Sequence, residues 1–198
     1  MGLVAFTWPM YLPKSEIFLF QPEAARSFAI IIALIAVGIV AIDISQGALD
    51  SKAVALLGVL SALIAALRLV GAGAVGIEPM WFLLIISAYV FGAKFGFSLG
   101  VIAMGISALI TGGIGPWLPF QMMAAGLVGL GAGILPRANS RIATLAILVG
   151  YAIVSSYCYG ALMTLWNWPF LAGSESSISY QAGAGLTENL LRFLNYEI

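Results

Sequence analysis

Apolar residues run along this chain in blocks of near-spanning length, separated by short punctuated segments. Six blocks stand out: 27–42, 53–70, 80–91, 95–110, 120–135 and 142–166. Each approaches the roughly 20 apolar residues a helix needs to cross a hydrocarbon core of about 30 Å. The third is short and is expected to extend into its flanks. A seventh block, 1–12, is too short to span alone and reads as the second half of a helix. At the far end, Thr187-Glu-Asn-Leu has the form of a helix start, with Thr187 as N-cap and Glu188 in the first turn. That helix has no room to cross before Ile198, so the pattern reads as a bundle clipped at both ends.

The segments between blocks are not ordinary loops. Thr111-Gly-Gly-Ile-Gly-Pro-Trp-Leu-Pro-Phe-Gln121 breaks the chain with three glycines and two prolines between two apolar stretches, beside an aromatic ring and an amide. Irregular backbone at membrane depth is tolerated only where protein buries it or a cavity solvates it. Gly71-Ala-Gly-Ala-Val-Gly-Ile-Glu-Pro79 and Trp166-Asn-Trp-Pro-Phe170 share that character. All three close alternate helix junctions, so they converge over one mouth of the bundle.

Composition agrees with this pattern. Of 198 residues, 62% are hydrophobic and only 8% charged, and the mean hydropathy is +1.09. A soluble domain carries about a quarter charged residues. The reading is an all-α integral membrane protein, a polytopic helical bundle. Zero formal net charge gives no basic face for nucleic acid. The chain has no histidine, which removes His metal ligands, His general bases and His proton relays. No metal site or cofactor is expected. The single cysteine, Cys158, excludes a disulfide framework and is expected to be a buried structural thiol. There are no paired carboxylates at helical spacing, no nucleophile motif and no phosphate-binding glycine loop, so the chain is not expected to be an enzyme.

Basic residues set a direction. Lys52, Lys94, Arg137 and Arg141 fall on one side, taken as cytoplasmic, whereas loops 71–79 and 112–119 lack Lys and Arg and fall outside. Lys14, Arg26 and Arg192 also land outside, which weakens the bias. The outer mouth then collects the candidate site. Arg68, at the end of the second block, and Glu78, closing the loop after it, are charges close to the membrane. Such charges are functional candidates by default. The alternative is that Arg68 snorkels to the headgroups or pairs with Glu78 to pin the loop. Trp81, Trp117, Trp166 and Trp168 offer stacking faces, though Trp at an interface is usually a headgroup anchor. Gln121 and Asn167 offer directional hydrogen bonds. Two small-residue ridges recur every four residues, Gly58/Ala62/Ala66 and Gly92/Gly96/Gly100. They suit close helix packing, either within the chain or against a partner. Gly126, Gly129 and Gly133 make a further close-packing surface.

The run Ala53-Val-Ala-Leu-Leu-Gly-Val-Leu-Ser-Ala-Leu-Ile-Ala-Ala-Leu-Arg68, then Gly-Ile-Glu-Pro79, Thr-Gly-Gly-Ile-Gly-Pro-Trp-Leu-Pro-Phe-Gln-Met122 and Trp-Asn-Trp-Pro-Phe170 resembles the substrate-binding S component of energy-coupling factor (ECF) transporters. It looks closest to a branch common in actinobacteria. The resemblance covers the chain from about Asp50 onward. It implies extra transmembrane segments over 1–50 and a six-helix-type vitamin-binding bundle over 51–198 that lacks its last helix. It implies a multi-pass protein of the bacterial plasma membrane with an outward-opening site for a vitamin-like small molecule. The partners it implies are a transmembrane coupling subunit and two ATPase subunits, docked through Gly58, Ala62 and Ala66 and through Gly92, Gly96 and Gly100. The aromatic-rich, sparsely charged outer face makes a corrinoid such as cobalamin the first candidate substrate. Two other classes fit the composition: a self-sufficient channel or secondary carrier gated at 112–119, and a membrane protein with no ligand.

Overall fold

A computed structural model describes residues 22–46, 51–71, 78–115, 117–167 and 185–197. Among these residues every regular element is helical. In chain order they are α1 (Pro22–Ser45), α2 (Ser51–Gly71), α3 (Met80–Phe91), α4 (Ala93–Thr111), α5 (Leu118–Gly133), α6 (Arg141–Asn167) and α7 (Leu186–Glu197). Three segments are long and apolar enough to cross a membrane: Ser51–Leu69, Ala93–Thr111 and Arg141–Leu165. Of the six near-spanning blocks, three therefore fall on these full-length segments, two fall on the shorter apolar helices Met80–Phe91 and Leu118–Gly133, and block 27–42 lies within α1. The block 1–12 lies outside the described residues.

Chain breaks explain the short helices. Gly92 stops α3 at φ 94° and ψ 174°, a region open essentially to glycine alone. Its N–H still closes the last turn on the Ala88 carbonyl at 2.8 Å. One residue therefore turns α3 back along α4. Gly112 caps α4 in the left-handed conformation at φ 68°, and Pro119 occupies the first turn of α5, where its missing N–H costs nothing.

Helix α4 is the axis of the bundle. Of its spanning window 61% is buried, against 22% for α2 and 6% for α6. Its main neighbour is α5, and it also contacts α1, α2 and α3. Glycines set the α4–α5 distance. A Cβ at Gly96 would strike the Gly129 carbonyl, one at Gly100 the Ala125 backbone, and one at Gly126 the Phe97 ring. The first two are backbone-to-backbone approaches, of the kind that packing in lipid rewards. Gly96 and Gly100 are consumed by the protein's own α4–α5 seam, and Gly92 serves the turn.

The second ridge faces the other way. On α2 the stripe Leu57, Ser61, Ile64 and Ala65 is buried, following helical spacing. Gly58, Ala62 and Ala66 lie on the exposed flank, and a Cβ on Gly58 would meet nothing. Cys158 also departs from expectation, being exposed on α6. Along that helix Ile142, Leu145, Val149, Ile153, Val154 and Tyr157 are exposed, an apolar face of the size that lipid or protein covers.

Helix α7 is short, and Glu188 and Arg192 pair along it at 2.9 Å. It starts at Leu186, with the Asn189 N–H on the Gly185 carbonyl. Gly185, one turn before Asn189, therefore stands where Thr187 was expected as N-cap.

Candidate functional site

Antiparallel hairpins sort the functional groups to two ends. Gly96 meets Gly129 and Gly126 meets Val101, so α4 and α5 run in opposite directions. Arg68 near the end of α2 meets Ser107 near the end of α4, so those two run in parallel. One end therefore gathers Asp43, Tyr89, Lys94 and Arg137. Lys94 pairs with Asp43 at 3.5 Å. The Arg137 guanidinium donates to the Val90 carbonyl at 3.2 Å and lies 5.5 Å from the Tyr89 ring centre. The opposite end gathers Arg68, Glu78, Trp81, Ser107, Gln121 and Tyr159.

Arg68 continues the buried stripe of α2 into its last turn, so it is directed into the bundle rather than out to headgroups. Its Nη1 donates to Ser107 Oγ at 3.3 Å, and its Nη2 donates to Gln121 Oε1 at 3.4 Å. Ser107 is only 1% exposed. A guanidinium in the last turn of a helix also meets favourable carbonyl dipoles. Gln121 is held in the first turn of α5 by its N–H on the Trp117 carbonyl at 3.0 Å. One cation thus ties three helices together.

Glu78 takes a different partner. Its carboxylate accepts from Trp81 Nε1 at 2.9 Å. The ion pairs among the described residues are Lys94–Asp43 and Arg192–Glu188, so Arg68 and Glu78 do not pin the loop by pairing. The Trp81 ring meets Tyr159 of α6 edge-on, with centres 4.6 Å apart and planes at 64°, a favoured aromatic geometry.

Beneath this aromatic pair a cleft of about 320 Å³ opens between α3 and α6 and is backed by Val128 of α5. Ile85, Leu148 and Ala152 give it apolar walls, and Ser155, Ser156 and Tyr159 bring hydroxyls. Ser155 and Ser156 donate back to carbonyls of their own helix at 3.2 and 2.8 Å. Their remaining capacity is therefore as acceptors. Among the described residues no group of His, Cys, Asp and Glu could hold a metal ion.

The structure brings together four of the residues expected from sequence: Arg68 with Gln121, and Glu78 with Trp81. It does not bring Trp117 to them. That ring is 43% exposed and folds over Gly115, where any Cβ would collide with it. Asn167 ends α6, but its side chain, like all of Trp168, lies outside the described residues. Sequence reasoning missed Ser107 and Tyr159. The signal for Tyr159 was its spacing, since Ser155 and Tyr159 repeat at i, i+4 within an apolar helix. Comparison with known protein families, with curated proteins and with solved structures finds no match to this chain.

Proposed function

We propose that this chain is the membrane-embedded substrate-binding subunit of an ECF-type, ATP-driven uptake transporter for a vitamin-like micronutrient in a bacterial plasma membrane. The observation that carries this reading is the Arg68 guanidinium, turned inward onto Ser107 and Gln121. A charge held inside the bundle rather than at the headgroups supports a role in ligand binding, beside its tie between three helices. The sequence resemblance supplies the transporter class, and the lack of any nucleotide-binding loop in the chain agrees with a motor carried by separate subunits. Of the two ridges proposed to dock a coupling subunit, the exposed Gly58/Ala62/Ala66 flank of α2 is the one free to do so.

A corrinoid would have to rest on the outer loops, because a macrocycle exceeds the α3–α6 cleft. Small-molecule sites span roughly 300–1,000 Å³, and this cleft of about 320 Å³ is at the small end. Purification under mild detergent tests the reading. Recovery of ATPase and coupling subunits with the protein is the expected result. Uphill, ion-driven flux by this protein alone in liposomes would overturn it in favour of a secondary carrier.

A further inference from the structure

The α3–α6 cleft has a chemistry of its own, apart from the Arg68 cluster. Along α6 its wall climbs from Leu145 and Val149 through Ala152 to Ser155, Ser156 and Tyr159, a stripe that follows helical spacing. Ala152, the smallest side chain on the stripe, stands at its centre and leaves the space. From Leu145 to Tyr159 the stripe runs about 20 Å at 1.5 Å per residue. A volume of about 320 Å³ drawn out over that length admits one slender molecule. Phe82 and Val149 on its walls are 70% and 56% exposed, so the cleft opens along the apolar outer face of α6, toward lipid.

Its serine hydroxyls sit together in one turn, and their hydrogens are already spent. Ser155 donates to the Ala152 carbonyl at 3.2 Å and Ser156 to the Ile153 carbonyl at 2.8 Å. The Trp81 N–H is taken by Glu78 at 2.9 Å, so Trp81 brings a ring and no spare donor. A serine hydroxyl whose hydrogen is used keeps its lone pairs, and the Tyr159 hydroxyl can give or take a hydrogen. A ligand head that reaches the serines must therefore bring the hydrogen itself. It must also be uncharged. Both serines stand nine to ten residues inside the Leu165 end of the span, about 14 Å along the helix, where an ion needs a counter-charge. The described residues that line the cleft are all uncharged.

We propose that the cleft is a second binding site, for an uncharged single-chain amphiphile with a hydroxyl head that enters from the bilayer. The head donates to Ser155 or Ser156 below the Trp81–Tyr159 pair, and the chain lies along Leu145 and Val149 between α3 and α6. A carboxylate or phosphate head has only lone pairs to set against those of the serines. A phospholipid keeps its head at the membrane surface and reaches the cleft with its chains alone. The proposal goes beyond the binding-subunit reading and does not depend on it.

Photolabelling in phosphatidylcholine nanodiscs tests it. A long-chain alcohol with a mid-chain diazirine is expected to label residues 82–86 and 145–156. At equal mole fraction in the bilayer, decanol should compete about fivefold better than decyl methyl ether, the worth of one neutral hydrogen bond. Decanoate and decylamine should compete no better than the ether. Ala152→Trp, which fills the cleft, should abolish labelling. In a variant carrying both Ser155→Ala and Ser156→Ala, decanol should fall to the level of the ether, and the ether should compete as it does on the parent. If alcohol and ether compete equally on the parent, the cleft holds only bulk lipid chains and the proposal falls. It also falls if decanoate or decylamine competes best, which makes the head an ion. A double variant that weakens alcohol and ether alike makes the serines packing residues and overturns it too. The assay needs neither coupling nor ATPase subunits, so its failure leaves the co-purification result standing.

Discussion

The meaning of Arg68 is decided by where its side chain goes. From sequence, a cation after an apolar run is equally a snorkelling anchor or a ligand contact. The inward bonds to Ser107 and Gln121 decide for the bundle interior. The tryptophans divide in the same way. Trp81 stands against Tyr159 and lines the cleft, whereas Trp117 covers its own Gly115 and is largely exposed. Trp81→Ala should therefore weaken binding of the small molecule recovered with the protein by roughly 1–3 kcal/mol, as for a buried aromatic contact. Trp117→Ala should leave that affinity nearly unchanged, and titration calorimetry of the two variants checks both. Residue type made Arg68, Glu78, Trp81 and Gln121 legible in the sequence, because each is costly or rare where it stands. Ser107 was not legible. It resembles Ser98, another hydroxyl buried in α4, which has no hydrogen-bond partner among the described residues, and only the facing helix tells the two apart.

At the scale of the element, the two small-residue ridges look alike in sequence and differ in the fold. Helical spacing puts small residues on one stripe of each helix, but it does not say which helix that stripe meets. Gly96 and Gly100 meet α5 within the chain, and Gly58, Ala62 and Ala66 are exposed, with no element among the described residues burying them. Two substitutions of similar size should therefore behave in opposite ways. Gly129→Leu drives a side chain into the Gly96 backbone, which no rotamer change relieves. It should destabilise the protein by about 1–3 kcal/mol or more, read as a lower thermal midpoint in detergent. Ala62→Leu should keep that midpoint and instead reduce recovery of the coupling subunit. If Ala62→Leu unfolds the isolated protein, the ridge is an internal packing surface. Helix boundaries were legible in part. Gly112 and Pro119 mark the end of α4 and the start of α5, because one supplies backbone freedom and the other lacks an N–H at a helix terminus. Gly92, read in sequence as part of a ridge, instead ends α3 at Phe91, so the third block does not extend into its flanks as expected.

The whole molecule has two chemically distinct ends. Lys94, Asp43 and Arg137 mark one, and the Arg68–Gln121 cluster marks the other. The sidedness of basic residues anticipated this split. Alternation of hairpins then carried it through, since α2 to α6 reverse direction at every turn. Cysteine labelling reads the orientation. In a Cys158→Ser background, a cysteine at Lys94 and one at Gly113 should react with a membrane-impermeant maleimide from opposite faces of oriented vesicles. Native Cys158, exposed on the apolar helix α6, should react with a lipid-soluble maleimide and resist the charged one. The central claim is that the Arg68 end of the bundle holds a small molecule. Its most direct test is mass spectrometry of whatever leaves the purified protein on denaturation, compared between the parent and Arg68→Gln at matched folding. The account predicts one recurrent small molecule, near one per protein chain in the parent and largely lost from the variant. Equal recovery from both, or none from a folded parent offered its growth medium's micronutrients, would contradict it.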